Sequence, residues 1–242
     1  YGDHRDLHTA YRRQRQMCIR DRFIAIGCGE HTSFQRNISE GIIEYDVSYP
    51  ELDSGNIMLE MLPDKMIMQF KGSLYKSELK TAAGIIEMSV LADSESEEMY
   101  NLVKIFSDYY ALKMNKAEAL VLTNKLPSFS TVDLNQTVTI ADVSCKKIEL
   151  DFQGAKSENY VFCYTDEIEI PSPNWCTPYW EIEGVFLDYI VENYGLVMRL
   201  QAVKIYPEEI EDEVFQIDDD YKFITMQEFD DLVVKNLEIF ME

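Results

Sequence analysis

From residue 40 onward, apolar side chains recur at every second position, and this alternation restricts the chain to a mainly extended fold. In GIIEYDVSY, Ile43, Tyr45, Val47 and Tyr49 fall on one side and Glu44, Asp46 and Ser48 on the other. The same beat places Met66, Met68 and Phe70 together, then Ile86, Met88 and Val90, then Ile148, Leu150 and Phe152, then Tyr160, Phe162 and Tyr164. Side chains of a strand point alternately to its two faces, so such runs predict half-buried antiparallel strands. Residues 185–206 read as two strands joined by a turn at Asn193-Tyr194-Gly195, and residues 151–160 as a further hairpin connection. Residues 94–125 fit helix or strand; the reading taken is strand over 99–106 and 110–114 and a short helix near 116–120.

The C-terminus changes period. Phe229, Leu232, Val233, Leu237 and Phe240 are spaced for one face of a helix, and Thr225 with Glu228 three residues on forms a capping-box pattern. No repeat or low-complexity linker divides the chain. The expectation is a single domain over residues 40–242 of α+β class: a mainly antiparallel, curved sheet with the C-terminal helix packed on it.

The first 39 residues do not follow the pattern. Residues 1–22 resemble a translated sequencing-library adapter, read in one frame. Tyr1–His8 match its flow-cell part, Thr9–Tyr11 fall at the sample barcode, and RRQRQMCIRDR matches the transposase end sequence. That reading sets the segment aside as non-native. It holds six of the 22 Lys and Arg and three of the 44 Asp and Glu, leaving 16 and 41 and a net charge of −25. Such acidity argues against nucleic acid, because phosphate contacts need clustered cations. Residues 23–39 read as the remnant of a lipoprotein signal and its tether. The apolar run Phe23–Ile26 leads into Gly27-Cys28, which resembles a lipobox with Cys28 as the lipid acceptor, and a polar stretch follows. The expected tie to a membrane is this acyl anchor alone, since no apolar run approaches the roughly 20 residues of a spanning helix.

The order of segments resembles a known family. EGIIEYDVSYPELDSGNIMLEMLPDKMIMQFKG, ADVSCKKIELDF, CYTDEIEI, GVFLDY and FQIDDDYKFITMQEF follow one another as in domain-of-unknown-function family 4412 of Gram-negative envelope lipoproteins, related to the GLPGLI-type proteins. The resemblance spans roughly residues 40–229. The GLPGLI hexapeptide is absent, and IEGVFL (182–187) stands in a comparable place. Membership implies secretion, lipidation and a location in the cell envelope of a Gram-negative bacterium, on the periplasmic side or the outer-membrane surface. It also implies a fold similar to the LolA/LolB carriers, a half-barrel closed by helices. It implies no catalytic residues.

The residue inventory points away from catalysis. Outside the adapter-like segment the chain has one histidine, His31, in the tether, so a Ser-His-Asp or Cys-His arrangement has no base near the body. Cys145, Cys163 and Cys176 lack the short spacings of a zinc site and read either as one disulfide plus a free thiol or as three buried thiols. The acidic runs at 208–213 and 218–220 do not match a calcium loop. There is no Gly-rich phosphate loop. The expectation is therefore no enzyme, no metal and no cofactor. What remains is apolar. Methionines at positions 58, 61, 66, 68, 88 and 198 adapt to irregular surfaces. With the neighbouring aromatics they make Tyr45, Met66, Met68, Phe70, Met88, Tyr160, Phe162 and Met198 candidates to bind a lipid or other apolar ligand. The competing expectation is a protein-interaction module with a solid core, meeting an unspecified partner at its acidic face or sheet edge.

Overall fold

The alternating runs do form strands. The computed structural model describes residues 37–53, 55–81, 84–123, 129–152 and 160–241. Strands β1 (Glu40–Ser48), β2 (Lys65–Lys71), β3 (Leu74–Lys80), β4 (Ile86–Asp93), β5 (Glu98–Ile105) and β6 (Asp108–Asn115) are followed by helix α1 (Lys116–Thr123). Then come β7 (Phe129–Ile140), β8 (Val143–Phe152), β9 (Tyr160–Thr165), β10 (Val185–Asn193), β11 (Leu196–Pro207), β12 (Lys222–Phe223) and helix α2 (Met226–Met241). The ambiguous stretch resolves as β5, β6 and α1. The turn at Tyr194-Gly195 is a two-residue hairpin with both φ angles positive, the conformation that matches the twist of its flanking strands. Residues 1–36, including Cys28 and His31, lie outside the described residues. So do the hairpin connection at 153–159 and the side chains of Met58, Leu237 and Phe240.

All twelve strands belong to one sheet in the order β12-β6-β5-β4-β3-β2-β1-β11-β10-β9-β8-β7. Every pairing is antiparallel except β12 with β6. Phe70, Tyr75, Ala92, Met99 and Met114 are successive cross-strand partners from β2 to β6, and all are buried. On the opposite face Leu91, Leu102 and Ala111 are covered by Phe215, Ile217 and Tyr221, from the segment that carries the chain from β11 back to β12. That segment is tied down where the Lys71 Nζ donates to the Ile210 carbonyl at 2.8 Å and the Ile210 amide donates to Glu40 Oε1 at 2.6 Å.

The expected α+β half-barrel closed by helices is not what forms. The protein is mainly sheet, an open, mixed twelve-stranded one with β12 and β7 at its two ends; the helices are one of eight residues and one of 16. The C-terminal helix forms, and its capping box does too: Glu228 Oε2 accepts from the Thr225 amide at 2.8 Å, and the Glu228 amide donates to Thr225 Oγ1. Its share in the core is small: Met226, Leu232 and Val233 pack against it only half-buried. Phe229 is its one buried residue among those described, and Val234 is exposed. The role expected of it falls to the connection between β9 and β10. From that connection Ile168, Ile170, Trp175 and Cys176 join the main core, while Tyr179 and Ile182 join a second cluster over β8–β10. An irregular segment has no period, so its burial could not be read from spacing.

Candidate functional site

The eight residues expected to bind an apolar ligand divide into two packed groups. Tyr45 faces Met66 across β1 and β2, and Met66 connects through Leu79 to Met88. Met68 faces Ile43, and Phe70 faces Gly41. Tyr45, Met66, Met68 and Phe70 are buried; Met88 and Met198 are half-buried and pack against the same cluster. The Tyr45 hydroxyl donates to the Phe186 carbonyl at 2.9 Å, and burial pushes its phenol well above the ordinary range. Tyr160 and Phe162 belong to the second group. Phe162 is fully buried against Tyr179 (ring centroids 4.9 Å apart) and Phe186 (5.3 Å). These edge-to-face contacts are the arrangement aromatic quadrupoles prefer.

Trp175 completes the filling. It is 2% exposed, and its Nε1 is a buried donor with no acceptor among the described residues. The next residue, Cys176, places its Sγ 3.2 Å from the Tyr75 hydroxyl on β3. Cys145, Cys163 and Cys176 are all free and buried. Burial holds the Cys145 thiol up at about 12 and raises Cys163 and Cys176 as well. A reactive cysteine needs the opposite shift, toward thiolate. Among the described residues no group of three or more His, Cys, Asp or Glu is placed to hold a metal ion, and no helix is long and apolar enough to cross a membrane.

The unsatisfied chemistry lies at the other end of the sheet. β7 is the terminal strand, twelve residues long, paired only with β8 among the described residues. Its sequence FSTVDLNQTVTI has no proline and a single ionisable side chain, Asp133. An edge strand presents a row of backbone N–H and C=O groups with no partner strand. A bulge between Asp133 and Thr137 divides this row in two: Asn135 adopts a left-handed conformation (φ 50°), and its amide donates to Asp133 Oδ1 at 2.7 Å.

One face of this edge opens onto a cleft of about 600 Å³. Thr131 and Asp133 of β7 contribute its edge-strand side, and Ile148, Tyr164 and, from the β9–β10 connection, Glu181 and Glu183 line it as well. Within it Lys146 pairs with Asp166 and lies 5.8 Å from the centre of the Tyr164 ring. The cleft thus holds four carboxylates and one ammonium, and that ammonium is already paired. None of the eight candidate residues lines it. The alternation in β7 is weak: Val132, Leu134, Val138 and Ile140 share one parity, but Gln136 and the bulge at Asp133–Thr137 interrupt it. Its high β-branched content and near absence of charge were the available signal.

No family model matches the chain, and no curated protein does. Among solved structures the chain is similar to the crystal structure of MucB, with 7% identity and a TM-score of 0.31, over 77% of this chain and 60% of that one.

Proposed function

We propose that this chain is a non-catalytic protein of the cell envelope that holds an extended polypeptide as an added strand on the free edge of β7. The observation that carries the reading is that edge: twelve residues, almost uncharged and without proline, at the end of a sheet whose interior is packed. In strand addition, main-chain hydrogen bonds supply affinity and alternate side chains supply specificity. The test is amide exchange by NMR with a panel of decapeptides of alternating Thr and Val. Alternate β7 amides, those facing away from β8, are expected to exchange fast in the free protein. Saturating peptide is expected to slow them about tenfold or more, equivalent to about 1.4 kcal/mol of protection. If no peptide protects them, the reading fails. If raising the protein concentration alone protects them, the edge belongs to a second copy of the chain and the reading fails equally.

The envelope location rests on FIAIGC, with Cys28 as the lipid acceptor of a tethered body. With a complete export signal supplied upstream, Cys28→Ala is expected to abolish fatty-acid labelling in a Gram-negative host; unchanged labelling overturns the anchor. A second reading, an apolar or lipid ligand held against the sheet, is supported by the methionines of β2 and β4. It requires the β9–β10 connection to leave the interior.

A further inference from the structure

We infer that the strand accepted by β7 is two-faced, with Lys or Arg directed to the cleft side and aliphatic residues to the other. This rests on strand addition at β7 and specifies the partner. A strand laid beside β7 places every second side chain on the face of Thr131 and Asp133, with directly opposed Cβ atoms about 5 Å apart. That face is the edge-strand side of the acidic cleft. Glu181 and Glu183, which line the cleft as well, are exposed to an incoming chain, and Lys146, the cleft's one cation, is taken up by Asp166. A carboxylate entering there meets like charge, whereas an ammonium or guanidinium meets four carboxylates of which one is already neutralised. The stem of a long basic side chain can also lie along Tyr164 and Ile148 while its head stays wet.

The other face of the same edge differs in chemistry. Val132 and Val161 are 47% and 43% exposed and flank Glu149 in one cross-strand row, Val132–Glu149–Val161. Of this row only Val132 is on β7 and would lie directly opposite a partner residue, and an aliphatic, β-branched side chain packs best against it. The alternation demanded of the partner is therefore aliphatic toward Val132 and basic toward Asp133. The net charge of the whole chain, −22, draws the same class of peptide from a distance.

The experiment compares three decapeptides on the full chain by fluorescence anisotropy at low salt: alternating Val-Lys, Val-Glu and Val-Thr. Val-Lys is expected to bind at least about tenfold tighter than Val-Glu. The gap should narrow as salt rises, since screening shortens to about 8 Å at physiological ionic strength. A Glu181→Gln, Glu183→Gln double variant, checked for fold by circular dichroism, is expected to shrink the gap severalfold while β7 amides stay protected by Val-Thr. Equal affinity for Val-Lys and Val-Glu, or a gap unchanged in the double variant, overturns the basic partner and leaves strand addition standing. Failure of all three peptides to protect β7 overturns both.

Discussion

Trp175→Ala is expected to destabilise the protein by about 4 kcal/mol, read as a shift of the urea midpoint at constant slope. The side chain is 2% exposed and is the largest fully buried one, so its removal leaves a cavity where the β9–β10 connection meets the core. Trp175→Phe is a sharper test. The indole Nε1 donates to nothing among the described residues, and burying an unpaired N–H is unfavourable by roughly 1–3 kcal/mol. Phenylalanine loses some packing but also removes that penalty, so the net loss is expected to be about 1 kcal/mol. The pair also separates the two functional readings. If the connection fills the interior, an apolar fluorescent probe binds the alanine variant and not the parent. A parent protein that binds the probe as well as the variant does, with Trp175→Ala costing less than about 1 kcal/mol, has an open interior, and the apolar-ligand reading then replaces strand addition.

Gly41→Ala is expected to cost on the order of 3 kcal/mol and to lower the melting temperature by about 10 °C. A Cβ at this position would lie 2.2 Å from the Tyr206 carbonyl oxygen, 3.1 Å from its carbon and 3.2 Å from the Pro207 Cα. All three are backbone atoms of β11, so no side chain can swing aside and the ladder itself must part. The ladder is a central one: β1 and β11 join the half of the sheet that runs from β2 to β12 to the half that runs from β10 to β7. Gly55→Ala is the control, because its added methyl would meet nothing within 4 Å. Equal melting temperatures for Gly41→Ala and the parent would mean that the two strands are not held in this register.

Legibility followed range along the chain. The strands around Tyr45, Met68, Ile148 and Phe162 announced themselves because alternation is a local consequence of the pleat. The α2 cap was equally readable, since Thr225 and Glu228 are three residues apart. The eight apolar candidates fall into two packed groups, and being apolar and adaptable did not say whether they faced a ligand or side chains of a distant segment such as Trp175 and Tyr179. Trp175, Cys176 and Tyr179 sit in a stretch without period, and their burial depends on contacts such as Tyr75 to Cys176 that span 101 positions. The helix has a minor share in the same core: beside the buried Phe229, Met226, Leu232 and Val233 of α2 pack against it only half-buried.

What the sequence by itself determined is therefore the local grammar: extended runs, a turn around Asn193-Tyr194-Gly195, the capped C-terminal helix, and an acidic composition. Only the tertiary structure decided the order of the strands, that β7 ends the sheet among the described residues, that a cleft lined by Asp133, Asp166, Glu181 and Glu183 lies beside it, and that an irregular connection rather than a helix fills the interior. The physical reason is that propensity and periodicity act between near neighbours. Which strand lacks a partner is a property of pairings such as β1 with β11, more than 150 residues apart, and no local pattern records them.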